Sequence, residues 1–88
     1  MAQDMKDDLI KRLKRIEGQT RGVQKMVEEE RGCADILHQL NAINEAVRSV
    51  SRMLAEEYAM ECLQTKSKRG RSREAVTAML DVIARVPR

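Results

Sequence analysis

The sequence is poor in aromatic residues and has no long hydrophobic run. Its 88 residues include no Trp, no Phe and one Tyr, Tyr58, so a core has to come from Leu, Ile, Val, Met and Ala. No apolar stretch approaches the ~18 residues that a membrane span requires. The first eight residues are polar and acidic, unlike a signal peptide. We therefore expect a cytoplasmic protein that does not contact a membrane.

Proline and cysteine are also scarce. Pro87 is the only proline, and the sequence has no alternating strand pattern, internal repeat or low-complexity tract, which favours helices. The two cysteines, Cys33 and Cys62, and the single histidine, His38, do not have zinc-finger spacing. In a reducing compartment such a cysteine pair more often binds metal or does redox chemistry than forms a standing disulfide.

Apolar residues recur at helical spacing in a first long stretch. These residues are Ile10, Leu13, Ile16, Val23, Met26 and Val27. Gly18 and Gly22 fall inside this helix, where they weaken it or allow another helix to come close. Arg31-Gly32 predicts its end, with Gly32 in the left-handed conformation.

A second and a third helix are predicted in the rest of the chain. The second stripe contains Ile36, Leu37, Leu40, Ile43, Val47, Val50, Leu54, Tyr58, Cys62 and Leu63, without Gly or Pro. Ser72 is the predicted N-cap of a short third helix that places Val76, Leu80 and Ile83 on one face. The sequence thus predicts an all-α fold of three helices, two long and one short, in a single domain over residues 1–88. Such a chain buries only a modest core alone, so we expect it to oligomerise.

The two cysteines lie at opposite ends of the predicted second helix. They are 29 residues apart, which is roughly 43 Å of α-helix. A disulfide, or a shared metal ion, needs their Cα atoms within about 7 Å. One chain cannot provide this, but an antiparallel pair of chains can, because Cys33 of one chain then lies beside Cys62 of the other. The sequence therefore predicts a dimer with two thiol sites across its interface, an arrangement suited to a sensor.

Positive and negative side chains are segregated although the net charge is only +3. Basic residues gather at Lys11–Arg15, at Arg48 and Arg52, and between Lys66 and Arg73. Such clusters are typical of surfaces that contact phosphate backbones, and an ordinary solvated helix surface is the alternative. The helices are too long for a helix-turn-helix, so DNA would contact a face of the assembled oligomer.

The segment RLKRIEGQTRGVQKMVEEERGC, from Arg12 to Cys33, and the following ADILHQLNAINEAV resemble the CsoR/RcnR family of bacterial transcriptional repressors. The R-x-x-R-I-x-G-Q opening, the cysteine after the first helix and the Q-L-x-A-I stretch carry this resemblance, which covers nearly the whole chain. It implies a non-enzymatic, all-α protein whose antiparallel dimers, as four-helix bundles, assemble to tetramers and bind operator double-stranded DNA. It also implies that an inducer at the intersubunit site releases the DNA.

The resemblance also implies a set of DNA-binding residues on the first two helices. They are Arg12, Lys14, Arg15, Gln19, Arg48 and Arg52. Arg12 and Arg15 match the family pattern best, and the basic loop from Lys66 to Arg73 would add contacts to phosphates.

The inducer site departs from the copper-sensing pattern of the family at one position. Copper sensors use a Cys followed by a His-x-x-x-Cys, and here Cys33 and Cys62 match the cysteines while Tyr58 replaces the His. A phenol is a poor metal ligand, and a cysteine pair without the His resembles the persulfide-sensing CsoR-like sulfurtransferase repressors (CstR). We therefore expect low-molecular-weight persulfides or polysulfides as the inducer and no cofactor. Cys33 would attack, Cys62 of the partner subunit would resolve, and the bridged pair would release DNA.

Several alternatives remain for these residues. A Cu(I)-responsive repressor with bis-thiolate ligation by Cys33 and Cys62 is the main one, because Cu(I) accepts soft thiolates. The cysteines could also simply fill the interface, and a small sulfurtransferase or a helical adaptor are further classes. Tyr58 either packs at the interface or lies over the thiols, where it hydrogen-bonds a sulfur. His38 is expected to be a surface or packing residue.

Overall fold

The computed structural model describes residues 1–64 and 73–85, and in these residues the chain forms three helices and no strand. The helices are α1 (Gln3–Glu28), α2 (Cys33–Gln64) and α3 (Arg73–Ala84). The prediction of an all-α chain with two long helices and one short helix is confirmed. The predicted N-cap Ser72 and the basic loop residues 66–71 lie outside the described residues.

By its internal contacts the chain divides into two units, Met1–Val50 and Ser51–Arg88. The first contains α1 and the first half of α2, and the second contains the rest of α2 and α3. The single domain over residues 1–88 therefore stays a prediction. In the described part of the chain no helix is long and apolar enough to cross a membrane.

The first unit is an antiparallel pair of helices with a narrow apolar seam. Leu9 near the start of α1 is 5% exposed, and Val50 is 6% exposed. The seam continues through half-buried apolar positions three, four or seven residues apart, as two packed helices require. These are Met5, Ile16, Val23 and Met26 on α1, and Ile36, Ile43 and Ala46 on α2.

The end of α1 is closed by a left-handed residue, but this residue is Glu30 and not Gly32. Glu30 has φ 54°, and no described glycine has a positive φ. The Arg31 amide donates to the Met26 carbonyl at 2.9 Å and the Glu30 amide donates to the Val27 carbonyl at 3.1 Å. This is the Schellman pattern, which satisfies the last carbonyl groups of a helix. Gly32 instead accepts the Ile36 amide at 3.1 Å and so caps the start of α2.

The two glycines inside α1 are not used for close packing within the chain. A Cβ atom added to Gly18 or Gly22 would meet no atom within 4 Å. Of the two roles predicted for them, a close approach between helices is therefore not found among the residues of one chain that the structure describes. The cost to helix stability remains, because glycine is a poor helix former.

The second unit places α3 against the second half of α2. The half-buried α2 positions Ala55, Tyr58, Ala59 and Cys62 share one face of the helix. On α3 the half-buried positions are Met79 and Ile83. Of the predicted apolar face of α3, Ile83 is half-buried, whereas Val76 and Leu80 are exposed in the single chain.

Much of the apolar surface of the long helices is left uncovered. Exposed large hydrophobic residues include Ile10, Leu13 and Val27 on α1, and Leu37, Leu40, Val47 and Leu54 on α2. In the described residues, Leu9 and Val50 are the only hydrophobic residues that are buried. Each stripe in the sequence is thus wider than the seam that one chain can cover, as expected for a helix pair that buries its other face against another molecule.

Candidate functional sites

A groove of about 550 Å³ runs along the first unit between α1 and α2. Its walls are formed by Arg12, Arg15 and Gln19 from α1 and by Ala42, Glu45 and Ala46 from α2. The three α1 residues occupy positions i, i+3 and i+7, so they lie on one helix face. Ala42 and Ala46, one turn apart on α2, are too small to fill the space opposite them. The result is a concave surface with two arginines on its edge.

Arg12 is held in place from both helices. Its Nε donates to Asp8 Oδ1 at 3.2 Å, one turn earlier on α1, and its Nη1 donates to Ser49 Oγ at 3.0 Å on α2. The side chain nevertheless stays 45% exposed. Because a guanidinium carries five N–H donors, Arg12 keeps donors that an outside anion can accept. The contacts therefore orient Arg12 without using up its binding capacity.

Gln19 and Glu45 give the groove its other polar groups. The Gln19 side-chain oxygen Oε1 is buried and has no hydrogen-bond partner. A buried acceptor of this kind favours a neighbour that donates a hydrogen bond. Glu45 contributes the negative charge of the groove, and its Oε1 lies 3.5 Å from Nη1 of Arg48. The pair with Glu45 links Arg48 to the groove.

Two further predicted DNA-binding residues, Lys14 and Arg52, do not line this groove. Lys14 is exposed, and it lies about 200° around α1 from Arg12, because each residue turns an α-helix by about 100°. Arg52 is exposed on α2 in the second unit. Sequence reasoning missed Asp8 and Ser49. Asp8 is detectable from its spacing of four residues from Arg12, whereas Ser49 contacts Arg12 only through the tertiary fold.

The two cysteines occupy the first and last turns of α2. Cys33 is the first residue of the helix and is exposed, whereas Cys62 is half-buried, and both are free thiols. No group of three or more His, Cys, Asp or Glu side chains that could hold a metal ion occurs in the part of the chain that the structure describes. His38 is exposed on α2.

Tyr58 is the polar neighbour of Cys62. It lies one turn earlier on α2, on the same face of the helix. Partial burial, and after it the neighbouring Cys62 side chain, raise the pKa of the Tyr58 phenol above its ordinary value of 10.0. Both roles predicted for Tyr58, packing at the interface and a hydrogen bond to a thiol, stay predictions.

The chain matches known proteins over nearly its whole length. Residues 5–85 match the family model of the metal-sensitive transcriptional repressors, so the chain belongs to this family. It is 46% identical to the copper-sensing transcriptional repressor CsoR of Bacillus subtilis (strain 168) over 77 residues, which are 88% of this chain and 76% of that protein. It is 45% identical to the copper-sensing transcriptional repressor RicR of Mycobacterium tuberculosis (strain ATCC 25618 / H37Rv) over 58 residues, 66% of this chain and 60% of that protein.

A solved structure supports the same assignment. The crystal structure of the copper-sensing repressor CsoR with Cu(I) from Geobacillus thermodenitrificans NG80-2 matches with a TM-score of 0.82 and 43% sequence identity. The match covers 96% of this chain and 88% of that chain. The predicted CsoR/RcnR membership is therefore confirmed, and the protein is a transcriptional repressor and not an enzyme.

The prediction of a persulfide inducer and of no cofactor is wrong. The relatives at 45% and 46% identity are named copper-sensing, and the similar crystal structure contains Cu(I). The assignment to the CstR branch is likewise unsupported. It depended on Tyr58 as the loss of a metal ligand, but two thiolates are by themselves a suitable donor set for Cu(I). The missing histidine alone therefore does not argue against Cu(I).

Proposed function

We propose that the protein is a cytoplasmic, Cu(I)-responsive repressor that binds operator DNA and releases it when Cu(I) is bound. Cu(I) would be held by two thiolates, Cys33 of one chain and Cys62 of the partner subunit. The observation that carries this proposal is the placement of two free cysteines in the first and last turns of α2, in a chain similar to copper-sensing repressors. Thiolate sulfur is the soft ligand that Cu(I) prefers.

The uncovered face of α2 supports a second copy of the chain as the other half of the site. Leu40, Val47 and Leu54 are exposed and recur every seven residues, which is the spacing of a helix–helix seam. An antiparallel pair that sets Cys33 beside Cys62 of the partner subunit has its midpoint at Val47–Arg48. This one register of the two α2 helices therefore buries the apolar seam and also forms both thiol sites. Pairing of two such dimers gives the proposed homotetramer.

The groove of the first unit supports the DNA-binding role. Arg12 and Arg15 provide positive charge on an exposed, concave surface. Arg48 lies beside this groove because it forms an ion pair with Glu45, which lines it. Arginine donors bind phosphate oxygens in pairs, and such contacts supply most of the affinity of a sequence-tolerant DNA surface. Lys14 and Arg52 remain proposed contacts, outside this groove. In an oligomer the groove is repeated, so that a long basic surface faces one duplex.

Subunit complementation tests the proposed copper site. Wild-type protein, Cys33→Ser and Cys62→Ser are titrated with Cu(I) without oxygen, against a chromophoric Cu(I) chelator. Each single variant is expected to lose the tight site. A refolded mixture of the two variants should regain it, because a mixed dimer retains one intact Cys33–Cys62 pair. Recovery of one tight Cu(I) per mixed dimer supports the intersubunit site, and no recovery excludes it.

DNA release is tested with the same samples. A duplex selected from a random library for binding to the metal-free protein serves as the probe, and fluorescence anisotropy is measured with and without one Cu(I) per chain. Wild-type protein should lose affinity on copper addition, and Cys33→Ser should bind DNA equally well in both conditions. A wild-type protein that holds Cu(I) tightly but keeps the DNA contradicts the proposed response.

A further inference from the structure

We propose that Asn44 of one chain and Ser51 of the partner subunit form a polar pair that fixes the antiparallel register of the two α2 helices, and thereby the alignment of the thiol sites. This inference rests on the proposed function, because it concerns the same pairing of two chains. It names two positioning residues that lie several turns away from both cysteines.

Asn44 and Ser51 interrupt the exposed apolar face of α2. Because an α-helix turns by about 100° per residue, Asn44 lies within about 60° of both Leu40 and Val47. Ser51 likewise lies within about 60° of both Val47 and Leu54. Asn44 is exposed and Ser51 is half-buried, and among the residues that the structure describes neither side chain forms a hydrogen bond. Both therefore need a polar partner when a second helix covers this face.

The register that aligns the cysteines also sets these two residues opposite each other. In an antiparallel pair, facing residues lie at equal distances from the midpoint, which is Val47–Arg48 when Cys33 is level with Cys62 of the partner subunit. Asn44 and Ser51 lie equally far from this midpoint, on opposite sides of it. Each Asn44 is therefore level with Ser51 of the partner subunit, and two-fold symmetry makes two such pairs.

The two side chains are chemically complementary. The Asn44 amide provides two N–H donors and a carbonyl acceptor, and the Ser51 hydroxyl both donates and accepts. A hydrogen bond between them satisfies polar groups that the seam would otherwise bury without a partner. Buried polar residues in helix–helix seams fix register at some cost in stability, which is the role we assign to this pair.

The apolar residues alone do not select this register. They recur every seven residues, so a slide of about 10 Å again sets apolar residues against each other. In one direction the slide sets Ser51 against Leu37 of the partner subunit. In the other direction it sets Asn44 against Tyr58 of the partner subunit. Both slides break the Asn44–Ser51 pairs and move the cysteines apart, so the polar pairs favour the one register that forms the thiol sites.

Three variants test this inference. Asn44→Leu removes the amide and extends the apolar seam. The double variant Asn44→Ser/Ser51→Asn exchanges the two side chains, so that the same pair forms in the same register. Asn41→Leu is the matched control, because Asn41 is also exposed but lies about 100° to 120° around α2 from Leu40 and Val47. Circular dichroism and sedimentation identify any variant that does not fold or associate.

The readout is the disulfide that forms between subunits when metal-free protein is oxidised with diamide, which takes up the two thiol hydrogens. Non-reducing digestion and mass spectrometry distinguish Cys33–Cys62 from Cys33–Cys33 and Cys62–Cys62. Wild type, the exchanged double variant and Asn41→Leu should form Cys33–Cys62 at the same rate. Asn44→Leu should associate about tenfold more tightly but form it about threefold more slowly, because its chains spread over about three registers. Its Cu(I) affinity should fall by the same factor, since only dimers in the correct register bind the ion.

The outcomes separate this inference from the proposed function. The role of the pair is overturned, while the thiol site stands, if Asn44→Leu forms Cys33–Cys62 as fast as wild type. The same holds if Asn41→Leu loses as much, or if the folded double variant is as slow as Asn44→Leu. If Asn44→Leu does not fold, Ser51→Leu removes the pair from its other side. Wild-type protein that forms no Cys33–Cys62 disulfide overturns the intersubunit site itself, and wild-type protein that forms it but binds no Cu(I) overturns only the proposed function.

Discussion

Arg12 on α1 donates a hydrogen bond of 3.0 Å from Nη1 to Ser49 Oγ on α2. This contact joins a side chain of the basic groove to the helix that carries both cysteines. Any shift of α2 against α1 changes the position of this guanidinium, because the hydroxyl holds one of its donors. A movement of α2 relative to α1 is therefore a physical route by which the proposed metal binding on α2 would alter the proposed DNA-binding surface.

Ser49→Ala should weaken the response to copper. The lost hydrogen bond is expected to cost about 0.5 to 1.5 kcal/mol of stability, and the coupling between Cu(I) and DNA should fall by about 0.5 to 2 kcal/mol. Cu(I) affinity without DNA should not change. The measurement is DNA anisotropy with and without Cu(I). Ser51→Ala, on the same helix, is the control, and an equal loss of coupling in both variants argues against the Arg12–Ser49 route.

Arg15→Ala should weaken DNA binding and lower its salt dependence. Removal of one phosphate contact is expected to reduce the slope of log affinity against log salt by about 0.9. The control is Arg85→Ala, which removes an equal charge from the ion pair with Asp81 on α3. If the Arg15→Ala variant binds DNA with unchanged affinity across a salt series, Arg15 does not belong to the DNA-binding surface.

Glu45→Gln should strengthen the binding of DNA by the metal-free protein. The substitution removes the negative charge of the groove and frees Arg48 from its 3.5 Å ion pair. A gain of about 0.5 to 1 kcal/mol, or roughly two- to fivefold in affinity, is expected for an exposed charge of this kind. Glu17→Gln, which removes a carboxylate paired with Arg21 on α1, is the control. A loss of affinity in the Glu45 variant would show that DNA does not approach this groove.

Glu30→Gly should stabilise the protein. Glu30 has φ 54°, a conformation that costs a residue with a Cβ about 1 to 2 kcal/mol and costs glycine nothing. Part of this gain is offset by the greater freedom of glycine in the unfolded chain, so we expect a net gain of about 0.5 to 1 kcal/mol. The control is Glu29→Gly. Because Glu29 has φ −83°, an ordinary value for a residue with a Cβ, this substitution should destabilise the protein. Urea unfolding at one fixed protein concentration measures both.

Val47→Lys should separate the subunits. In the proposed antiparallel pair, Val47 lies beside the midpoint and level with Arg48 of the partner subunit, so a lysine there would bring positive charges together in the interface. Sedimentation equilibrium should show monomers, and the tight Cu(I) site should disappear with the interface. Gln24→Lys adds the same charge at an exposed polar position of α1 and should leave the assembly intact. A Val47 variant that remains oligomeric moves the interface away from this face of α2.

Local sequence signals predicted the helices well and their tertiary partners less well. The long second helix follows from the unbroken 3-4 spacing after Gly32, and Arg12, Arg15 and Gln19 share a face through spacing alone. The left-handed position at the end of α1 was assigned to Gly32, but the hydrogen bonds that close the helix place it at Glu30. Ser49 gave no signal, because its contact with Arg12 arises only when two helices pack.

The inducer was misjudged for a different reason. Tyr58 replaces a histidine of the family pattern, and this single position was given more weight than the similarity of the rest of the chain to copper sensors. The sequence shows that the histidine ligand is missing, but it does not show how many ligands Cu(I) needs.

The wide uncovered face of the long helices has a consequence for the life of the protein in a cell. A newly made chain with exposed leucines and valines is a substrate for proteases and chaperones until it meets another copy. Pairing protects it, and the fraction of paired chains rises with concentration. The half-life of the protein should therefore lengthen as its synthesis increases, so that repression sets in over a narrower range of expression than a monomeric regulator would give.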